Sequence, residues 1–315
     1  MKLFRSLFAL FALSALPVWA QQIGVKGVPY LTFENGLQMP QLGLGTLGQG
    51  NDSIACQSVK TALKLGFRHI DTAHSYGVER GVGQGIRESG IPREEIWLTS
   101  KLYPFAMGEG KTMEAIDKML ARLGTDYVDL LYVHHPFGDF RGGWKDMEKA
   151  VKMGKVRALG ISNFDYPEAQ ADFEYMCDST EIHPQIMQIE CNPYYQQTEI
   201  RQKAADKGIR IECWFPLGGS MNIKNITSDP VIGQIAKAHG KSPVQIILRW
   251  EIQEGLSTIP GSKNPVHIQE DINIFDFELT PEEMQQMRAL DKNKASFPHN
   301  YQIMKGRQEK RVLPD

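Results

Sequence analysis

One rhythm constrains this chain more than any other feature: a short apolar run followed by an amphipathic stretch, repeated eight times. "LGLGT" precedes "SIACQSVKTALKLG", "FRHIDTA" precedes "ERGVGQGIRES", "EIWLTSKL" precedes "TMEAIDKMLARLG", and "YVDLLYVHHP" precedes "WKDMEKAVKMG". The order continues through "VRALGISNF" with "PEAQADFEYMCDS", "QIMQIECNP" with "QQTEIRQKAADKG", "IRIECWFPLGG" with "SPVQIILRWEIQEG", and "LSTIPGS" with "VHIQEDINIF". Continuous apolar runs alternating with helical periodicity describe buried parallel strands joined by crossover helices. Eight such units predict an α/β fold, a closed (β/α)8 TIM barrel.

The punctuation agrees. Gly66, Gly124, Gly154, Gly208 and Gly255 each follow a helical stretch and precede a strand, where a left-handed cap is wanted. Ahead of the first unit, "YLTFENGLQMP" places two short runs around Asn35-Gly36, which predicts a β-hairpin closing the barrel's bottom. No linker-like or low-complexity stretch divides the chain, so residues 21–315 are expected to form a single barrel domain acting as a monomer.

Residues 1–20 read differently: Lys2 and Arg5, an apolar run from Leu7 to Leu16, then "PVWA". This is the pattern of a cleavable signal peptide, and it predicts export, in a bacterium to the periplasm, with Gln21 as the mature N-terminus. A buried N-terminal helix in a cytoplasmic protein is the alternative, and Pro17 with the small-residue end favours cleavage. No later segment is apolar enough to predict a membrane span.

Charge excludes other functions. Thirty-five Lys and Arg against 37 Asp and Glu leave no field of one sign to recruit nucleic acid, so a small-molecule ligand is expected. Cys56, Cys177, Cys191 and Cys213 show no metal-ligand spacing and read as buried thiols. No His-x-His pair ends a strand, and no metal is expected. Neither a GxSxG elbow nor a GxxxxGK[ST] loop occurs, and the glycines of "GVGQG" read as helix packing.

Active sites of such barrels lie at the C-terminal ends of the strands. The polar residues there are Asp71 with Tyr76 in the following loop, Ser100 and Lys101, His134 and His135, Ser162 and Asn163, Gln188 and Glu190, and Trp214. Around them the sequence resembles the aldo-keto reductase family over essentially all of the chain after the leader. "DTAHSYGVERGVG", "LTSKL", "VHHP", "GKVRALGISNF", "QIECNPYYQQ" and "IPGSKNPVHIQEDINIFDFELT" are similar to six family segments, in family order. The prokaryotic, diketogluconate reductase-like branch is the nearest in kind.

The resemblance implies a nicotinamide-dependent oxidoreductase that reduces an aldehyde or ketone. Asp71, Tyr76, Lys101 and His134 match the family's catalytic tetrad. The chemistry explains the set: a phenol is a poor acid at neutral pH, a neighbouring Lys101 lowers its pKa, and Asp71 supplies the countercharge a buried lysine needs. His134 would hydrogen-bond the carbonyl oxygen as charge develops there. Adjacent strand residues face opposite ways, so only one of His134 and His135 is expected to point into the site at a time. The His135-Pro136 boundary lets His135 turn in, however, and both are candidate substrate-binding residues, His135 standing where many members have an aromatic residue.

Ser162, Asn163 and Gln188 match residues that hold the nicotinamide amide, and Trp214 matches the aromatic that stacks on its ring. After the last strand, Ser262, Lys263 and His267 match the phosphate clamp, while Glu270 and Asp271 match contacts to adenine. Gly261 and His267 depart from the lysine and arginine common there, and Phe215 departs from a small polar residue. NADP(H) is therefore expected, with NAD(H) as the alternative. A nicotinamide-binding sensor with little turnover is the second functional reading. The short loop "FGDFRGG" and a brief tail predict a pocket open on two sides.

Overall fold

The computed structural model describes residues 27–297 and 300–310. The leader over residues 1–20 and its cleavage point lie outside the described residues. Two short strands, β1 (Tyr30–Thr32) and β2 (Gln38–Pro40), pair antiparallel in the register Tyr30 to Pro40 and Leu31 to Met39. The turn between them holds Gly36 at φ 81°, a conformation that costs glycine nothing.

Leu31, Phe33 and Met39 of the hairpin pack on Trp97, Leu130, Tyr132, Ala158 and Ile186, apolar side chains filling the lower barrel. The hairpin is thus the plug that the sequence predicted. Each such buried side chain contributes about 1.5–3 kcal/mol of transfer free energy.

The barrel strands are β3 (Leu44–Gly45), β4 (His69–Asp71), β5 (Trp97–Leu102), β6 (Val128–Val133), β7 (Val156–Ser162), β8 (Ile186–Glu190), β9 (Arg210–Trp214) and β10 (Ser257–Thr258). They pair in parallel in chain order. Gly43 N donates to Thr258 O and Thr258 N to Gln41 O, at 2.9 and 2.7 Å, and these bonds bring the last strand onto the first. Closure leaves no free edge.

Six helices follow the expected units: α1 (Asp52–Leu65), α2 (Glu79–Glu88), α3 (Thr112–Leu123), α4 (Phe140–Lys152), α5 (Gln170–Asp178) and α6 (Thr198–Asp206). Gly66 and Gly124 end α1 and α3 at φ 110° and 64°, and their N–H groups close the last turns. The glycines of α2 let it lie against its neighbours: a Cβ at Gly81 would collide with the Asp52 backbone, and one at Gly83 with the Leu123 backbone.

After β9 the structure departs from the expected single helix. Two extra helices, α7 (Gly219–Thr227) and α8 (Pro230–His239), precede the unit's own helix α9 (Pro243–Gln253). They form a satellite core in which Ile226, Ile232, Ile235, Ile246 and Trp250 meet. α10 (Pro265–Ile272) completes the eighth unit; α11 (Pro281–Arg288) and α12 (Tyr301–Lys310) follow.

All four cysteines are free and buried. Among the described residues, no helix is long and apolar enough to cross a membrane, and no three His, Cys, Asp or Glu side chains gather to hold a metal ion.

Candidate active site

Side-chain alternation along β5 decides which residues enter the barrel. Trp97, Thr99 and Lys101 share the inward face, whereas Ser100 points outward, where its Oγ donates to Glu79 Oε1 at 2.6 Å. Glu79 is held in turn by Arg122 at 2.7 Å, so Ser100 belongs to the helix layer and not to the site.

Lys101 is fully buried, and its Nζ donates to both oxygens of Asp71 at 2.6 Å and to Thr72 O at 3.0 Å. Asp71 is in register with Thr99 of β5, two residues before Lys101 on the same face, and Lys101 is in register with Tyr132 of β6. Tyr76, on the single helical turn after β4, lays its ring 5.0 Å from Lys101 Nζ and 5.9 Å from the His134 ring.

Burial pulls the Lys101 pKa down, but the charge and hydrogen bond of Asp71 together with the charges of Tyr76 and Glu212 outweigh it, and the ammonium stays above its ordinary range. Tyr76 does not follow the sequence expectation. Burial raises its pKa, and Asp71 and Glu212 add to that, which together exceed the lowering by Lys101. The lysine's charge is largely spent on its carboxylate partner.

Both histidines line the same cavity, which strict alternation would not allow and the His135-Pro136 boundary does. They lie beyond the last residue of β6, where the pleat has ended, and their rings stack at 4.6 Å and 10°. Ser75 Oγ lies 3.5 Å from His134 Nδ1, and Gln308 meets His135 Nε2 at 3.2 Å.

That cavity has a volume of about 420 Å³, typical of a small-molecule site. Tyr76, His134, Ser162, Asn163, Gln188 and Trp214 all reach it. A second cavity of about 250 Å³ adjoins it across Leu47, Tyr76, Trp214 and Phe215 and runs to Gly261.

Asn163 adopts φ 63°, and its Nδ2 donates to His134 O at 2.9 Å and to Ser162 Oγ at 3.0 Å. Gln188 Nε2 donates to Asp71 Oδ2 at 3.0 Å and to Glu212 Oε2 at 2.5 Å. Glu212 also accepts from Tyr132 at 3.0 Å and from Ser257 at 3.0 Å.

The fold has known counterparts. The profile of the aldo/keto reductase family matches residues 41–292. The chain belongs to that family. It is 43% identical over 265 residues to a 9,11-endoperoxide prostaglandin H2 reductase of Trypanosoma cruzi, covering 84% of this chain and 92% of that one. It is 41% identical over 271 residues to a glyoxal reductase of Bacillus subtilis, covering 86% and 95%. A Bombyx mori aldo-keto reductase solved in complex with NADP superposes with a TM-score of 0.80 at 30% identity, covering 87% and 96%. The protein is thus an oxidoreductase of the aldo/keto reductase family.

For this aldo/keto reductase, the segment after β10 sits apart from the first cavity. Gly261 lines the second one, Ser262 O accepts from Gln49 Nε2 at 3.1 Å, and Lys263 and His267 are exposed. Glu270 is half-buried, but Asp271 is 4% exposed on the inner side of α10. Burial, reinforced by the Glu270 charge, pushes the Asp271 carboxyl up to about 7. Phe215 stands at φ 52° with its ring edge-on to Trp214 at 4.9 Å.

The tail is the largest difference from the sequence reading. Met304, Arg307 and Gln308 of α12 line the first cavity together with Phe297, so the tail roofs part of a mouth expected to be open. Tyr103 and Tyr166 also line it unforeseen. The signal for Tyr103 was present, two residues beyond Lys101 at the same strand end. For α12 there was little, because "YQIMKGRQEK" lacks an apolar stripe.

Proposed function

We propose that this protein reduces aldehydes or ketones to alcohols with NADPH, with Tyr76 as the general acid assisted by Lys101, Asp71 and His134. The observation that carries the reading is the fully buried Lys101–Asp71 pair, 2.6 Å apart, set beneath a tyrosine that reaches a cavity. Perturbed, mutually compensating charges at a cavity floor are a mark of catalytic sites.

The side chains suit a nicotinamide. The Nε2 of Gln188 is committed to two carboxylates and the Nδ2 of Asn163 to two oxygens, which leaves each amide a carbonyl oxygen to accept from a carboxamide N–H. Trp214 offers an aromatic face on both cavities, and its buried Nε1 has no hydrogen-bond partner among the described residues. The cofactor, when bound, supplies the hydride for the carbonyl carbon.

Tyr76 passes its phenolic proton to the carbonyl oxygen as negative charge grows there. Lys101 stabilises the phenolate left behind, and Asp71 keeps Lys101 in place and charged. His134 orients the carbonyl oxygen toward Tyr76. Ser262, Lys263, His267 and Glu270 would hold the adenosine end, with NADPH preferred over NADH. Residues 21–315 act as one domain, exported by the leader of residues 1–20.

The test is steady-state oxidation of NADPH by the purified protein over a panel of small aldehydes and ketones. Turnover supports the reading; tight NADPH binding without turnover on any of them supports a sensor.

A further inference from the structure

α12 brings to the cavity something its floor lacks. The helix is seated by an aromatic cluster: Met304 packs with Phe137, Tyr166 and Ala169, and the Tyr301 ring meets Phe137 at 5.1 Å and Tyr166 at 5.5 Å, both edge-on. Gln308 ties the helix to His135 at 3.2 Å. The neighbouring Arg307 is thereby carried to the cavity rim.

Arg307 is the one permanently charged side chain among the described residues lining that cavity. It makes no ion pair or hydrogen bond with another described residue. Asp71 and Lys101 lie below the floor and neutralise each other. The remaining described walls carry no Lys, Asp or Glu and are largely apolar, among them Leu47, Tyr103, Trp214 and Phe297, so no carboxylate there repels an anion.

We propose that the cavity selects carbonyl substrates that carry an oxyanion, a carboxylate or a phosphate, away from the reacting carbon, and that Arg307 is the residue that engages it. The proposal rests on the reductase reading and narrows its substrate class. The physics is that of the guanidinium fork, whose N–H groups match two oxygens of a carboxylate or phosphate side by side. Tyr76 and His134 receive the carbonyl oxygen at the strand ends, while Arg307 comes from the tail helix above them. A substrate with both groups is held at two points, which fixes which atom faces Tyr76. Because Arg307 is exposed, solvent screens the pair and the selectivity is moderate.

The experiment compares three aldehydes of one scaffold: 4-formylbenzoate, 4-formylphenyl phosphate and the uncharged methyl 4-formylbenzoate. The kcat/KM of each is measured with NADPH for the wild-type chain, Arg307→Gln and Arg307→Glu. The anion-to-ester ratio is expected to fall about two- to fivefold in Arg307→Gln, through KM, and further in Arg307→Glu. Added salt should compress the wild-type ratio and leave that of Arg307→Gln nearly constant. Whichever anion loses more identifies the source of the oxyanion. Equal ratios in all three proteins, with turnover intact, overturn the selectivity while the reductase reading stands. No wild-type turnover of any aldehyde overturns both.

Discussion

Gln188 Nε2 donates to Glu212 Oε2 at 2.5 Å and to Asp71 Oδ2 at 3.0 Å, so one amide ties the carboxylate beneath the site to a second one deeper in the barrel. Glu212 is fully buried and also accepts from Tyr132 and Ser257. Its position therefore sets which end of the Gln188 amide faces the cavity, and its charge helps to hold the Tyr76 phenol up.

Glu212→Gln is expected to weaken NADPH binding about tenfold, the scale of one misoriented hydrogen bond, measured by quenching of tryptophan fluorescence. It should also move the alkaline limb of the kcat/KM profile to lower pH, because a negative charge that favours the protonated phenol is gone. A variant with unchanged affinity and an unmoved limb would reduce Glu212 to packing.

Tyr76→Phe deletes the phenolic hydroxyl and leaves the ring. Carbonyl reduction should fall by at least about 10²-fold, the contribution of a general acid, while NADPH still binds. Substantial turnover with normal cofactor binding would remove Tyr76 from that role.

The Lys101–Asp71 pair makes a prediction about stability that is separable from catalysis. Lys101→Met leaves Asp71 buried with its main countercharge removed, and breaking such a pair costs about 3–5 kcal/mol. Adding Asp71→Asn removes the stranded charge, so the double variant should recover much of the loss in urea unfolding and stay inactive. Additive losses would mean that the pair is not coupled in folding.

How much of this was legible in the sequence follows from which forces are local. β5 and β6 read correctly because a strand buried on both faces is mostly apolar, and a lysine within such a run stands out as an expensive exception that needs a partner. The hairpin was readable from Asn35-Gly36, whose turn chemistry is local. Glu212 was not singled out, since its partners Gln188, Tyr132 and Ser257 come from three other strands. α7 and α8 were missed because their apolar residues bury against α9 and not against the barrel, so they sit outside the eightfold rhythm. The roof of the cavity was missed because α12 is held by a few aromatic contacts and Gln308, with no periodic stripe to announce it.

Asp271 gives a last prediction, in which the direction of the pKa shift fixes the sign. Its folded-state pKa is about 7 against an ordinary 3.8, with burial as the main cause and Glu270 adding to it. Between these values the folded chain holds a proton that the unfolded chain has released, so stability falls as pH rises through that window and levels off above about 7. Asp271→Asn keeps the shape and has no charge to bury. The variant should match the wild type near pH 4 and become progressively more stable than it toward pH 8, by at most about 4 kcal/mol, since each pKa unit corresponds to about 1.4 kcal/mol. Urea unfolding of both proteins across that range measures the difference. A gap that does not change with pH would show that Asp271 is ionised at no cost in the fold, and that a cation or water reaches it on the inner side of α10.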